Sequence, residues 1–389
     1  MRHFTRNRTA QYPLKPAYSY LIWLMAFLLL GFISCKNSES AMVTEQKQEP
    51  AVYSLTLIAA GDNIFHETIL NTHKKDLSYN FTPIYSEVKT LIENSDLAFI
   101  NQETVMAGES FGYHDYPRFN TPASLAQTLA DTGFDIINLA NNHAFDMGKT
   151  GLYNTLDLLE AIKGLSVIGA RKKGESAFII TRNNITLGFL AYTYWLNGFS
   201  LPKEEPGLVS LIDMEKMSRE IDALRPLCDF LIVSMHWDPE YKMEPAQNQI
   251  GLALFLANHN VDLIIGHHPH VLQKLEKLPR PDGKETLCFY SLGNFVSHQI
   301  TKERILGALM LVTFLKEGEK LSISDSGLIP TICHFEKGYK NTRVYPLYAY
   351  TEELLAKHWC RINDKDMSFD FFHSVLSNLD TKLITASPY

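Results

Sequence analysis

Side chains suited to metal binding and acid–base work stand at the ends of apolar runs. Asp62 follows Leu57-Ile58-Ala59-Ala60-Gly61, and Glu103 follows Ala98-Phe99-Ile100-Asn101-Gln102. Asn142 and His143 follow the run from Ile136, His236 follows Leu231 to Met235, and His267, His268 and His270 follow Leu263 to Gly266. Asn294 closes the series after Tyr290-Ser291-Leu292-Gly293. Each alone has an ordinary reading: Asp62 as a cap, Glu103 as a surface acid, Asn142-His143 as a hydrogen-bonded turn, His236 as a satisfied core histidine. Three histidines within Gly266-His267-His268-Pro269-His270 resist explanation by packing. Imidazole, carboxylate and amide oxygen make a mixed N/O donor set. It suits two divalent transition ions, Mn, Fe or Zn, and no thiolate selects a softer metal. A shared carboxylate can hold two ions about 3.5–4 Å apart around an activated water. One residue separates His268 from His270, so each can serve a different ion, and His267 then points away in a supporting role.

Other residues suit a substrate. Arg118, in Tyr116-Pro117-Arg118-Phe119, is a candidate clamp for a phosphate or carboxylate. Trp237 and Tyr241 are expected to wall the site, and Asn294 to contact substrate beside them.

These residues span more than 200 positions, so the fold must gather them. Strands are predicted at Ser54–Ala60, Leu97–Ile100, Asp135–Leu139, Phe230–Met235, Asp262–Ile265, Leu287–Ser291 and Gly307–Leu315. A hairpin is predicted from Ala177–Thr181 and Ile185–Thr193. Helices are predicted at Pro83–Asn94, Pro122–Asp131, Leu152–Ile162, Met214–Leu224 and Pro245–Asn258. The alternation argues an α/β layered fold, whose strand C-terminal ends form the ligand crevice. Residues 53–350 read as one domain and 351–389 as a helical C-terminal extension.

Ahead of the domain, Arg2 to Lys15 is basic, and Leu21–Ile33 is a dense apolar core ending at Ser34-Cys35. This is the pattern of an export signal over residues 1–34. A small residue before Cys35 resembles a bacterial lipoprotein signal, in which the Cys is lipidated; Phe32 stands where that signal usually has Leu. The alternatives are an uncleaved membrane anchor or a cleaved, released chain. All three place the body outside the cytoplasm, tethered in the first two through polar residues 35–52.

Four of the 36 basic residues and none of the 43 acidic ones fall in the first 34, so the body is more acidic than the net charge of −7. That excludes a general nucleic-acid binder. Five Cys without a CxxC spacing suggest neither a disulfide framework nor a zinc ribbon.

Taken together, Gly61-Asp62-Asn63, Asn101-Gln102-Glu103, Ala140-Asn141-Asn142-His143-Ala144-Phe145-Asp146, His236-Trp237-x-x-Glu240-Tyr241, Gly266-His267-His268-Pro269-His270 and Ser291-Leu292-Gly293-Asn294-Phe295 resemble the bacterial CapA family. These are poly-gamma-glutamate capsule biosynthesis proteins with a calcineurin-like metallophosphoesterase fold. The resemblance covers roughly Leu55 to Leu347 and implies a four-layer α-β-β-α sandwich. It matches Asp62 to the first metal carboxylate, with His66 the candidate paired histidine, and Glu103 to the bridging carboxylate, where phosphoesterases usually have Asp. Asn142, His236, His268 and His270 match the remaining ligands. His143 matches the histidine that protonates the leaving group, and Asp146 is placed to orient it. Asp238 stands where relatives commonly have Gly. The implied activity is a dinuclear-metal hydrolase acting on a phosphoester or on an amide of an anionic polymer, beside other polymer synthesis or export proteins. The other implied role is a non-catalytic polymer-binding or export factor.

Overall fold

The computed structural model describes residues 50–389 apart from Glu175, Ser176, Asp380 and Tyr389, and residues 50–389 form one compact unit. The expected signal and Cys35 lie outside the described residues.

Strands run in chain order as β1 (Val52–Asn63), a small hairpin of β2 (Lys74–Lys75) and β3 (Ser78–Tyr79), β4 (Leu97–Gln102), β5 (Ile136–Asn138), β6 (Ser166–Ile168), β7 (Phe178–Arg182) and β8 (Ile185–Thr193). They continue as β9 (Phe230–His236), β10 (Leu263–His267), β11 (Leu272–Pro279), β12 (Glu285–Leu292), β13 (Asn294–Val296), β14 (Leu306–Glu317), β15 (Lys320–Glu336) and β16 (Lys340–Pro346). One sheet has the order β16-β15-β14-β1-β4-β5-β6, with β13 also pairing with β1; a second has the order β11-β12-β10-β9-β8-β7. In the first, β1, β4, β5 and β6 are parallel; in the second, β12, β10, β9 and β8 are. The result is a mixed α/β fold.

Period-two burial assigns the faces. Leu55, Leu57 and Ala59 of β1 share one apolar core with Leu187 and Phe189 of β8, Ile232 of β9 and Ile265 of β10. Ile58 and Ala60 face the other way, onto Leu125 and Leu129 of α1 (Ser124–Thr132) and Leu152 and Leu156 of α2 (Gly148–Glu160). The opposite faces of β9 and β10, through Val233 and Ile264, pack on Ile221 of α3 (Met214–Leu224) and Leu256 of α4 (Gln247–Asn258). The tail is helical at 352–357, 359–363 and 369–377, and its Leu355, Phe372 and Leu376 join the first core.

The predicted strands are present, and most run longer. β1 continues through Asp62 and Asn63 because both gain a partner in β13. The helix expected at Pro83–Asn94 is instead a 3₁₀ turn (Thr82–Tyr85) followed by a short helix (Lys89–Glu93). There, buried Tyr85 donates its hydroxyl to Asn63 Oδ1 at 2.9 Å.

Candidate metal centre

The parallel strands of both sheets end on one cleft of about 880 Å³, bordered by Glu103, Asn142, His143, Glu240 and His270 among others. Asp62 is the last residue but one of β1, Glu103 directly follows β4, and Asn142 and His143 follow β5. His236 ends β9, and His268 and His270 leave the end of β10. Two glycines permit this convergence. A Cβ on Gly61 would lie 2.0 Å from Gly293 O, and one on Gly266 1.9 Å from Tyr290 O, so both backbones abut their neighbours as only glycine allows. Beyond Gly266 the chain enters left-handed backbone, at φ 94° for His268 and 57° for His270. Such conformations are costly for non-glycine residues and cluster at functional sites.

Donor atoms group in three overlapping sets, each mutually within 4.8 Å: Glu103, His236 and His268; Asp62, Glu103 and His270; Glu240, His268 and His270. Glu103 belongs to two of them. Asp62 receives Asn101 Nδ2 at 2.8 Å, the backbone N–H of His268 at 3.2 Å and His270 Nδ1 at 3.0 Å. By contrast both carboxylate oxygens of Glu103, both ring nitrogens of His268 and Nδ1 of His236 are buried with no hydrogen-bond partner. A burial that leaves so many donor atoms unpaired is costly unless something else satisfies them. The donor set, N and O without sulfur, fits divalent transition ions.

The electrostatics divide this set. Burial raises the Glu103 carboxyl well above the usual carboxylate range. Burial would also raise Asp62, but hydrogen bonds from His267 and His270 hold it well below. Desolvation, with the neighbouring His270, brings His268 down to about 3, and desolvation beside His268 lowers His236 as well. Both rings are therefore neutral, the form that ligates metal. Burial opposes the His270 cation, but the carboxylates of Glu103 and Asp62 hold it up at about 9.

Beside these groups, His143 Nδ1 lies 2.7 Å from Asp146 Oδ2, which also accepts the Phe119 backbone N–H at 2.7 Å. Asn142 Oδ1 lies 2.9 Å from His236 Nε2.

A match to the family profile of the bacterial capsule synthesis protein PGA_cap covers residues 56–299. The chain belongs to this family. It is 28% identical over 293 residues to the capsule biosynthesis protein CapA of Bacillus anthracis, covering 71% of this chain and 67% of that one. It is 35% identical over 182 residues to the PGA biosynthesis protein CapA of Bacillus subtilis, covering 44% and 45%. Among solved structures, the calcineurin-like phosphoesterase YfkN of Bacillus subtilis aligns at a TM-score of 0.44 and 12% identity, over 84% of this chain and all of that one. The NAD nucleotidase NadN of Haemophilus influenzae aligns at 0.44 and 12%, over 85% and 60%. These are distant likenesses of fold.

Within this family member, Asp62, Glu103, Asn142, His143, Asp146, His236, His268 and His270 come together. His66 lines the cleft, edge-on to Phe119, but falls outside the three sets. His267 stacks on Phe99, its Nδ1 3.5 Å from Asp62. Arg118 and Tyr241 line the cleft as expected. Two expected substrate contacts do not. Trp237 is fully buried, stacked on Tyr290 with its indole N–H donated to Tyr290 O, so it packs the fold and cannot wall the site. Asn294 is buried and spends its amide on the backbone oxygens of His270 and Arg304, bracing the loops instead of meeting substrate. Three residues were given no role by the sequence reading. Glu240 joins the third donor set, visible in retrospect as an acid four residues past His236. Asn197, at φ 50°, accepts from Asn142 Nδ2 and reaches the His143 ring at 3.1 Å. Arg304 lies over the Tyr241 ring, its guanidinium carbon 3.5 Å from the ring centre.

Proposed function

We propose that this chain is a dinuclear-metal-dependent hydrolase of capsule or surface-polymer biosynthesis, of the poly-gamma-glutamate type its relatives' names carry. The observation that carries the reading is the set of buried, unpaired donor atoms on Glu103, His236 and His268, gathered beside the His143–Asp146 pair. Asp62, Glu103 and His270 would hold one ion, and Glu103, His236, His268 and Asn142 the other. Ions held there supply Lewis acidity and a nucleophile from water at neutral pH. Asp146 orients the His143 ring, which passes its proton to the leaving group. Asn197 holds the Asn142 amide with its oxygen toward His236. Arg118 clamps an anionic group, and the cleaved bond is an amide of an anionic polymer. The three apolar clusters support a four-layer, metallophosphoesterase-like α-β-β-α sandwich. The basic and apolar residues before Cys35 support attachment to the outer side of the membrane, beside other polymer synthesis or export proteins.

The test uses the detergent-solubilised full chain, stripped with chelator and reloaded with Mn, Fe or Zn. The substrates are oligo-γ-glutamate and bis(4-nitrophenyl) phosphate. Metal-dependent turnover of the oligomer is expected; turnover of the phosphodiester alone would move the scissile bond to a phosphoester. Polymer binding without turnover under any metal would replace the hydrolase with a binding or export factor.

A further inference from the structure

Two guanidinium groups line the cleft, and neither takes part in an ion pair among the described residues. Arg118 lies over the ring of Phe199, 5.0 Å from its centre. Its neighbour Phe119 meets the His143 ring edge-on at 4.7 Å. Arg304 stacks on Tyr241, whose ring is 5.9 Å from that of His270. The Arg304 carbonyl oxygen is tied to Asn294, which also holds the His270 carbonyl. One arginine therefore belongs to the His143 flank of the cleft and the other to the His270 flank, and Glu103 lines the same cleft. Stacking on an aromatic ring fixes a guanidinium plane while leaving its N–H fork free for a carboxylate. Arg304 also lies beyond the stretch that the family profile matches, residues 56–299.

We infer that Arg118 and Arg304 grip carboxylates on opposite sides of the bond to be cut, so that the centre works within a polycarboxylate chain and not at its end. His143 serves the departing group, so Arg118 holds the leaving half and Arg304 the acyl half. Hydrolysis places the water oxygen on the acyl carbon and breaks the C–N bond. Both water protons end on the departing nitrogen, one of them by way of His143, leaving a carboxylate-ended and an ammonium-ended fragment. The inference rests on the hydrolase reading for its cutting mode, but not for its grip.

The test measures fluorescence anisotropy of a labelled ten-unit γ-glutamate oligomer on the full chain, with chelator present so that no turnover occurs. R118Q and R304Q should each weaken binding about tenfold, the worth of one charge-assisted contact. Each should also flatten the salt dependence. R118K and R304K should recover part of the loss, which a purely structural role would not allow. Wild-type affinity in both Gln variants would overturn the grip. With metal restored, product lengths should spread from the chain interior. Stepwise release of single glutamates would overturn internal cutting. Weakened binding in the variants together with no turnover by any metal form would sink the hydrolase reading and leave the grip standing.

Discussion

Asp146→Asn isolates what the carboxylate gives to His143. Asp146 Oδ2 takes both the Phe119 N–H and the His143 ring at 2.7 Å, while Oδ1 is buried with no partner. An Asn can keep its oxygen in the Oδ2 place, preserving both contacts. Its NH₂ then occupies the unpaired Oδ1 place, and the negative charge is gone. Charge-assisted hydrogen bonds contribute about 1.5–3 kcal/mol and neutral ones about 1. Asp146 steadies the proton-bearing ring that donates, so losing its charge costs that form about 1–2 kcal/mol, or about 5–30-fold in kcat. His143→Ala should cost about 10²–10⁴-fold, the share of a general acid. The double variant should be no slower than His143→Ala, because Asp146 acts through the ring. The assay compares kcat on a good and a poor leaving group for all four proteins, with metal content measured alongside. Should Asp146→Asn slow the His143→Ala protein by the same factor as the wild type, the two residues act independently and the dyad is wrong. Loss of metal in His143→Ala would instead make His143 a ligand.

His268→Ala should lose bound metal and the metal-dependent rise in melting temperature, read by elemental analysis and calorimetry, because its ring serves two of the three donor sets. Acid should weaken the fold through His358, which burial beside His334 holds down at about 3. Its Nδ1 accepts the Cys360 N–H and its Nε2 contacts Cys333 O, so the folded state needs the neutral ring. The unfolded chain takes the proton first, so this stability is complete above about pH 6.5 and drains as pH falls toward 3. The loss amounts to about 2–3 kcal/mol by pH 4.5. Urea melts in chelator should show a larger drop from pH 7 to 4.5 for wild type than for His358→Asn, and equal drops would refute it. Cys35→Ser should abolish lipid attachment, and a full-size variant still in the membrane fraction would favour an uncleaved anchor.

The candidate ligands were legible because each is a polar interruption at the end of an apolar run, where strand ends gather. The same logic overreached at Trp237 and Asn294. Both sit beside candidate site residues in sequence, but strand alternation turns Trp237 into the helix-covered core, and Asn294 is drawn into backbone bracing. Glu240, Asn197 and Arg304 lie in loops without a periodic frame, and only tertiary packing places them. The edge strand β11 was hidden for another reason. Leu272, Leu275 and Leu278 recur every third residue and mimic a helix, yet in the structure Leu275 faces the inter-sheet core and Leu278 the opposite face.

The donor atoms come from both sheets: Asp62, Glu103 and Asn142 from the first, His236, His268 and His270 from the second. Asp62 and His270 stand 208 residues apart, and the two donor sets that contain Glu103 each draw on both sheets. Those two sets are therefore late arrivals in folding, because loop closure must bring the two sheets together before either has its three donors. Ions held by those sets would rivet the seam between the sheets. Metal supply would then govern how long the halves stay together as well as the chemistry proposed for the cleft.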